Sequence, residues 1–187
     1  MREISIEALL REAEAGEAQA QFSLACALHT GKGVCQNNAE AVRWYRQAAA
    51  QGHAGAQYEL GKCCFYGCGT EQDPDAAVRL YRSAAALGHG VARYTLGKCY
   101  YRGAGVAQSY DEAAKCFALV LEEMLPAAEQ GVLEAQCVLA ECYLYGFGVE
   151  KDRDTAIKWL RMAADRGNEW ADELLEELGV YDDESSV

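Results

Sequence analysis

Residues 54–69 read Ala54-Gly55-Ala56-Gln57-Tyr58-Glu59-Leu60-Gly61-Lys62-Cys63-Cys64-Phe65-Tyr66-Gly67-Cys68-Gly69. Ala56, Leu60 and Cys63 or Cys64 recur at the steps that gather side chains on one face of a helix. Gly67-Cys68-Gly69 ends that helix, because glycine accepts the left-handed backbone at a helix C-terminus. Gln72-Asp73-Pro74-Asp75 is a start signal, with Asp73 as N-cap and Pro74 at the first helical position. The second helix carries Ala77, Leu80, Tyr81, Ala84 and Ala85 and ends at Gly88. One unit is a helix, a glycine turn, a second helix and another glycine turn.

The unit repeats. Glycine pairs stand at Gly31/Gly33, Gly67/Gly69 and Gly103/Gly105, 36 residues apart, and at Gly146/Gly148 after a step of 43. Ala20, Ala56, Ala92 and Ala135 keep the same register, as do Leu24, Leu60, Leu96 and Leu139. Asn37 and Asp152 take the place of the capping Asp73. Self-similarity at such a period marks a stacked-repeat architecture, in which each unit packs on its neighbours and an extended surface faces a partner.

Bulk composition narrows the function classes. Half of the 187 residues are hydrophobic and two are proline, which favours a folded helical chain. No apolar run is long enough to cross a bilayer. Met1 to Glu7 lack the basic segment and apolar core of a signal peptide, so a cytoplasmic protein with no membrane partner is expected. The net charge is −12. Eight acids and no Lys or Arg follow Asn168, and the repeats themselves are close to neutral. An acidic chain repels phosphates, so no nucleic-acid partner is expected.

Nine cysteines occur, with Cys63, Cys99 and Cys142 at one repeat position. Neighbouring repeats lie about a helix diameter apart, beyond disulfide reach, so these read as small buried hydrophobes in a reducing compartment. Cys63-Cys64 and Cys68 lack Cys-x-x-Cys spacing and a suitably placed histidine, so neither a metal nor a cofactor is expected. His53 and His89 share a loop position after the turn glycine, which is a repeat feature.

Leu96-Gly97-Lys98-Cys99-Tyr100-Tyr101-Arg102-Gly103-Ala104-Gly105-Val106 and Ala41-Val42-Arg43-Trp44-Tyr45, running on to Gly52, carry a recognisable pattern, as does Ala156 to Gly167. It resembles the Sel1-like repeat, a relative of the tetratricopeptide repeat, over residues 18–167. Leu80 and Cys116 depart from the second-helix Trp, and Thr70 from the Val after the glycines. The resemblance implies an all-α, right-handed α/α solenoid of helix-turn-helix repeats.

The expected organisation is one domain, 1–180. It holds an N-terminal capping helix in 1–17, repeats at 18–53, 54–89, 90–131 and 132–167, and a C-terminal capping helix at 168–179. An acidic tail, 181–187, is expected to be disordered. Ile6, Leu9, Leu10 and Ala13 form the apolar face of the first cap. Asn168 caps the last helix, whose apolar face is Trp170, Leu174, Leu175 and Leu178. A seven-residue insertion around Ala118–Met124 lengthens the second helix of the third repeat and keeps its phase, with a perturbation near Pro126.

In the related tetratricopeptide fold the first helix of each unit lines a concave groove. Carried over by position, one groove row is Phe22, Tyr58, Tyr94 and Cys137, and a second is Cys26, Lys62, Lys98 and Glu141. At the helix ends come His29, Phe65, Tyr101 and Leu144, then Thr30, Tyr66, Arg102 and Tyr145. Aromatics beside Lys62, Lys98 and Arg102 suit peptide recognition. The expected function is a non-enzymatic protein-interaction adaptor for a protein or peptide segment of acidic or C-terminal carboxylate character.

The other class is an enzyme, because a secreted cysteine-rich branch of the family has been linked to penicillin binding and hydrolysis. Cysteines of that branch typically pair across the helix junction, where this chain has Ala49, Ala85 and Ala164 facing Gln57, Arg93 and Gln136. No Ser-x-x-Lys motif is present and no histidine has a nucleophile at recognisable spacing, so no catalytic residue is expected.

Overall fold

Asp73 turns the chain into a helix as its spacing predicts: its side chain accepts the amide of Ala76, with Pro74 in the first turn. Asn37, Asp152 and Asn168 cap their own helices in the same way. In a computed structural model that describes residues 6–180, these signals delimit ten helices, and no strand occurs among the described residues. The acidic tail lies outside the described residues, as do Met1 to Ser5. None of the described helices is long and apolar enough to cross a membrane.

The chain divides into two compact units, one running to Ser109 and the other from Tyr110. The first contains α1 (Ile6–Glu14), α2 (Ala18–Thr30), α3 (Asn38–Ala50), α4 (Ala54–Tyr66), α5 (Pro74–Ala86) and α6 (Gly90–Arg102). Each helix packs on the next in sequence, the nearest-neighbour pattern of a repeat array. Tyr45 and Tyr81 fill the second-helix core, and Ala41, Ala48, Ala56, Ala77, Ala84 and Ala92 are fully enclosed. Such small residues let helix backbones approach. Gly61 has the same cause, since a Cβ there would meet the Tyr81 ring at 2.6 Å.

The two glycines of a pair have different tasks. Gly67, at φ 74°, is the left-handed C-cap of α4, and its N–H donates to the Cys63 carbonyl. Gly69 faces the backbone of the preceding repeat: a Cβ there would run into the Asn38 carbonyl, the first residue of α3. Gly105 sits likewise on Pro74, the first residue of α5.

Polar side chains close the helix junctions. Gln21 Nε2 donates to the Ala13 carbonyl at 3.1 Å, Gln57 Nε2 to Ala49 at 3.3 Å and Arg93 Nη2 to Ala85 at 2.8 Å. In the second unit Gln136 Nε2 donates to the Ala128 carbonyl at 3.0 Å. Gln136 therefore faces Ala128 rather than Ala164, because the helix that precedes it, and not the one that follows, ends beside its side chain.

The second unit contains α7 (Tyr110–Glu129), α8 (Leu133–Tyr145), α9 (Arg153–Ala164) and α10 (Glu169–Glu177), again packed in sequence order. Helix α7 runs through Pro126 for 20 residues. Gly148 sits on the Phe117 carbonyl, 2.7 Å from where its Cβ would be. Phe117 thus takes the seat held by Pro74 in the first unit. Helix α7 is thus 20 residues long against 13 in α5, the seven-residue lengthening expected from the sequence.

Ala171 and Leu175 of α10 join a buried cluster with Ala140, Leu160 and Ala163, and Leu174 and Leu178 pack against it. Trp170 does not share that face and is 39% exposed, because the buried stripe begins one residue later. At the other end, Ala13 is the buried residue of α1, while Leu10 is exposed.

Candidate functional site

In the first unit the last turns of α4 and α6 present their side chains together. Phe65 and Tyr66 meet edge to face, with ring centroids 5.1 Å apart. Tyr66 is 68% exposed, and Tyr101 on α6 is 44% exposed. Helix α6 brings Lys98 and Arg102 to the same place, one turn apart. Between them opens a cavity of about 80 Å³, walled by Phe65, Tyr66, Lys98, Arg102 and Ala104 and floored by Tyr81, Thr95 and Cys99. Burial pushes the Cys99 thiol up to about 11, so at neutral pH it stays protonated and gives the cavity a small apolar floor rather than a nucleophile.

The helix ends are held by glutamines. Gln36 Nε2 donates to the His29 carbonyl at 2.8 Å, Gln72 Nε2 to Phe65 at 2.9 Å and Gln108 Nε2 to Tyr101 at 2.9 Å. The row His29, Phe65 and Tyr101 is thus fixed at its backbone by a side chain seven residues later. The recurrence of Gln after the first three glycine pairs, with Lys151 after the fourth, was visible in the sequence and carried this signal.

The row nearer the helix starts does something else. Phe22 stacks on His53 at 4.5 Å, and Tyr58 stacks on His89 at 4.9 Å. Each imidazole is also the N-cap of its helix, its Nδ1 accepting the amide of Ala56 or Ala92 at 3.1 Å. That leaves the proton of His53 on Nε2, which donates to Gln19 Oε1 at 3.1 Å. Phe22 and Tyr58 are therefore half-buried spacers between repeats.

Tyr94 departs further from the expected groove: it is 3% exposed and belongs to the core. Its ring carries Lys98 Nζ at 4.7 Å, so its contribution is to orient that cation. Lys62 sits 5.4 Å over Tyr58 and pairs with Glu59 at 3.0 Å. His29 is partly buried, edge-on to Tyr45 at 6.4 Å. Cys26, partly buried, accepts the Tyr45 hydroxyl at 3.4 Å.

In the second unit Tyr145 is 48% exposed, with its ring 5.8 Å from Phe147. Phe147 in turn stacks on Phe117 at 4.5 Å. Cys137, from the first groove row, is partly buried, and its thiol is pushed up by burial to about 11. Among the described residues no group of three or more His, Cys, Asp or Glu is placed to hold a metal ion.

The profile of the Sel1 repeat matches residues 18–53, 54–89, 90–119 and 133–168. No curated protein matches the chain. A protective antigen of uropathogenic Escherichia coli strains with an SLR fold is 36% identical, with a TM-score of 0.64 over 90% of this chain and 34% of its own. A Sel1 repeat protein from Oxalobacter formigenes is 35% identical, with a TM-score of 0.65 over 91% of this chain and 65% of its own. An immunity protein from Pseudomonas aeruginosa shares the fold at 22% identity and a TM-score of 0.55, over 89% of this chain and 59% of its own. The chain thus spans about a third of the E. coli antigen and less than two thirds of the Oxalobacter protein. With four matched repeats and solved relatives at this identity, the chain belongs to the Sel1 repeat family as an all-α repeat solenoid.

Proposed function

We propose that this chain is a non-enzymatic adaptor that binds a protein segment of acidic character at the α4–α6 face of its first unit. Sel1 repeats generally mediate protein–protein interaction, and scaffolds of this family are typically non-enzymatic. The observation that carries the reading is the α4–α6 cavity, where exposed Tyr66 and the cations Lys98 and Arg102 surround an apolar floor. Aromatic area with arginine at its edge is the composition of binding hot spots, and a carboxylate, from a side chain or a chain end, is the natural counterpart of the cations.

The test is recovery of a partner from the source organism's lysate by the wild-type protein and by Lys98→Ala/Arg102→Ala. The double variant should hold its helicity and lose about tenfold or more of the partner. Undiminished recovery by that variant, with loss instead on altering Leu119, which stands exposed on the lengthened α7, overturns the assignment of the face. Buried thiols at Cys63, Cys64, Cys99 and Cys142 suit a reducing, cytoplasmic setting. Titration of protein unfolded without reductant should recover every thiol, and a deficit of one pair refutes that setting.

A further inference from the structure

The third and fourth repeats differ at the turn that follows their first helix. The middle residue of the glycine pair is Ala104 in one and Phe147 in the other, and the second glycine rests on the preceding helix in both, Gly105 on Pro74 and Gly148 on Phe117. In the second unit the Phe147 ring reaches back onto that helix and stacks on Phe117, with the planes inclined by 16° at a 4.5 Å separation. In the first unit a methyl group stands at that turn, and a cavity of about 80 Å³ lies beside it over Tyr81.

We propose that this cavity is an anchor pocket, taking one bulky apolar side chain, an aromatic ring above all, from the bound segment. The inference rests on the reading that this face binds a protein segment and adds what that segment must carry. The floor of Tyr81, Thr95 and Cys99 is largely apolar, which favours burial of an incoming ring. Lys98 and Arg102 stand at the wall, so a carboxylate beside the ring completes the match. The ligand is thus an aromatic residue with an acidic neighbour or its own chain-end carboxylate. Occupancy of one small, half-open cavity by one ring turns it into specificity, since a central buried side chain carries most of the energy of such contacts.

The experiment uses the full chain, labelled with nitrogen-15 and titrated with 3-phenylpropionate, a ring joined to a carboxylate. Propionate is the carboxylate without the ring. Saturable amide shifts at Thr95, Cys99 and Ala104 are expected with the first and not with the second. Ala104→Phe should fill the pocket from within and weaken binding about tenfold with unchanged melting. Ala104→Ser, which keeps the space, should bind as wild type. If Ala104→Phe melts early, Ala104→Leu takes its place.

Equal binding of propionate, or undiminished binding by a folded, filled variant, overturns the anchor pocket. Arg102→Ala separates the two readings. Binding lost in Arg102→Ala but kept in Ala104→Phe leaves the cationic face standing and removes the anchor. Binding lost in Ala104→Phe but kept in Arg102→Ala leaves the anchor standing and removes the charge contact.

Discussion

The imidazole of His89 stacks on the ring of Tyr58 at 4.9 Å while its Nδ1 accepts the amide of Ala92. One side chain thus starts the first helix of the following repeat and packs against a ring of its own repeat. His53 joins Ala56 and Phe22 in the same way. The interface between repeats and the helix start are therefore a single device, so a change to either ring acts on both.

His89→Ala is expected to lower unfolding free energy by about 1.5 kcal/mol, combining a lost cap with a lost ring pair. His89→Asn restores the capping acceptor without the stack and should recover roughly half of that. Urea denaturation followed by circular dichroism measures both. Equal costs for the two variants would mean that the stack, and not the cap, carries the effect.

Gly69 and Gly88 both have positive φ, 74° and 81°, but their surroundings differ. Nothing lies within 4 Å of a Cβ at Gly88, whereas one at Gly69 meets the Asn38 backbone. Gly88→Ala should cost about 1 kcal/mol from the backbone conformation alone. Gly69→Ala should cost roughly 2–4 kcal/mol, because two repeats must also move apart. The comparison is read from the two denaturation midpoints, and similar values would refute a close approach at Gly69.

Burial pushes the thiols of Cys63, Cys99 and Cys137 up to about 11, from an ordinary 9.0. The unfolded chain therefore loses these protons first as pH rises. Their contribution is fully present below about pH 9 and is lost as pH climbs towards about 11. Tyr45 and Tyr81, also raised chiefly by burial, act in the same sense. Midpoints of urea unfolding across that range should fall, and Cys99→Ala should show a shallower fall than wild type. A flat profile would show that these thiols ionise alike in both states.

Much of this molecule is legible in its amino-acid order because the deciding interactions are local. A cap such as Asp73 on Ala76 spans three residues, and a left-handed glycine ends a helix wherever it stands. The period of 36 then places every other helix by repetition. Those facts alone determine an all-helical repeat array and the helix ends that carry Phe65, Tyr66, Tyr101 and Arg102.

What the tertiary structure decided is which of the equivalent positions is open. Tyr58 and Tyr94 hold the same place in the repeat, yet one is half exposed and the other buried. The register of α7 against the fourth repeat is seen in Gly148 meeting Phe117, the same 31-residue reach as Gly69 to Asn38 and Gly105 to Pro74. A cavity lies beside Ala104, at a turn where Phe147 stands in the next repeat. Periodicity makes positions alike; packing against neighbours, which is non-local and depends on side-chain volume, makes them different.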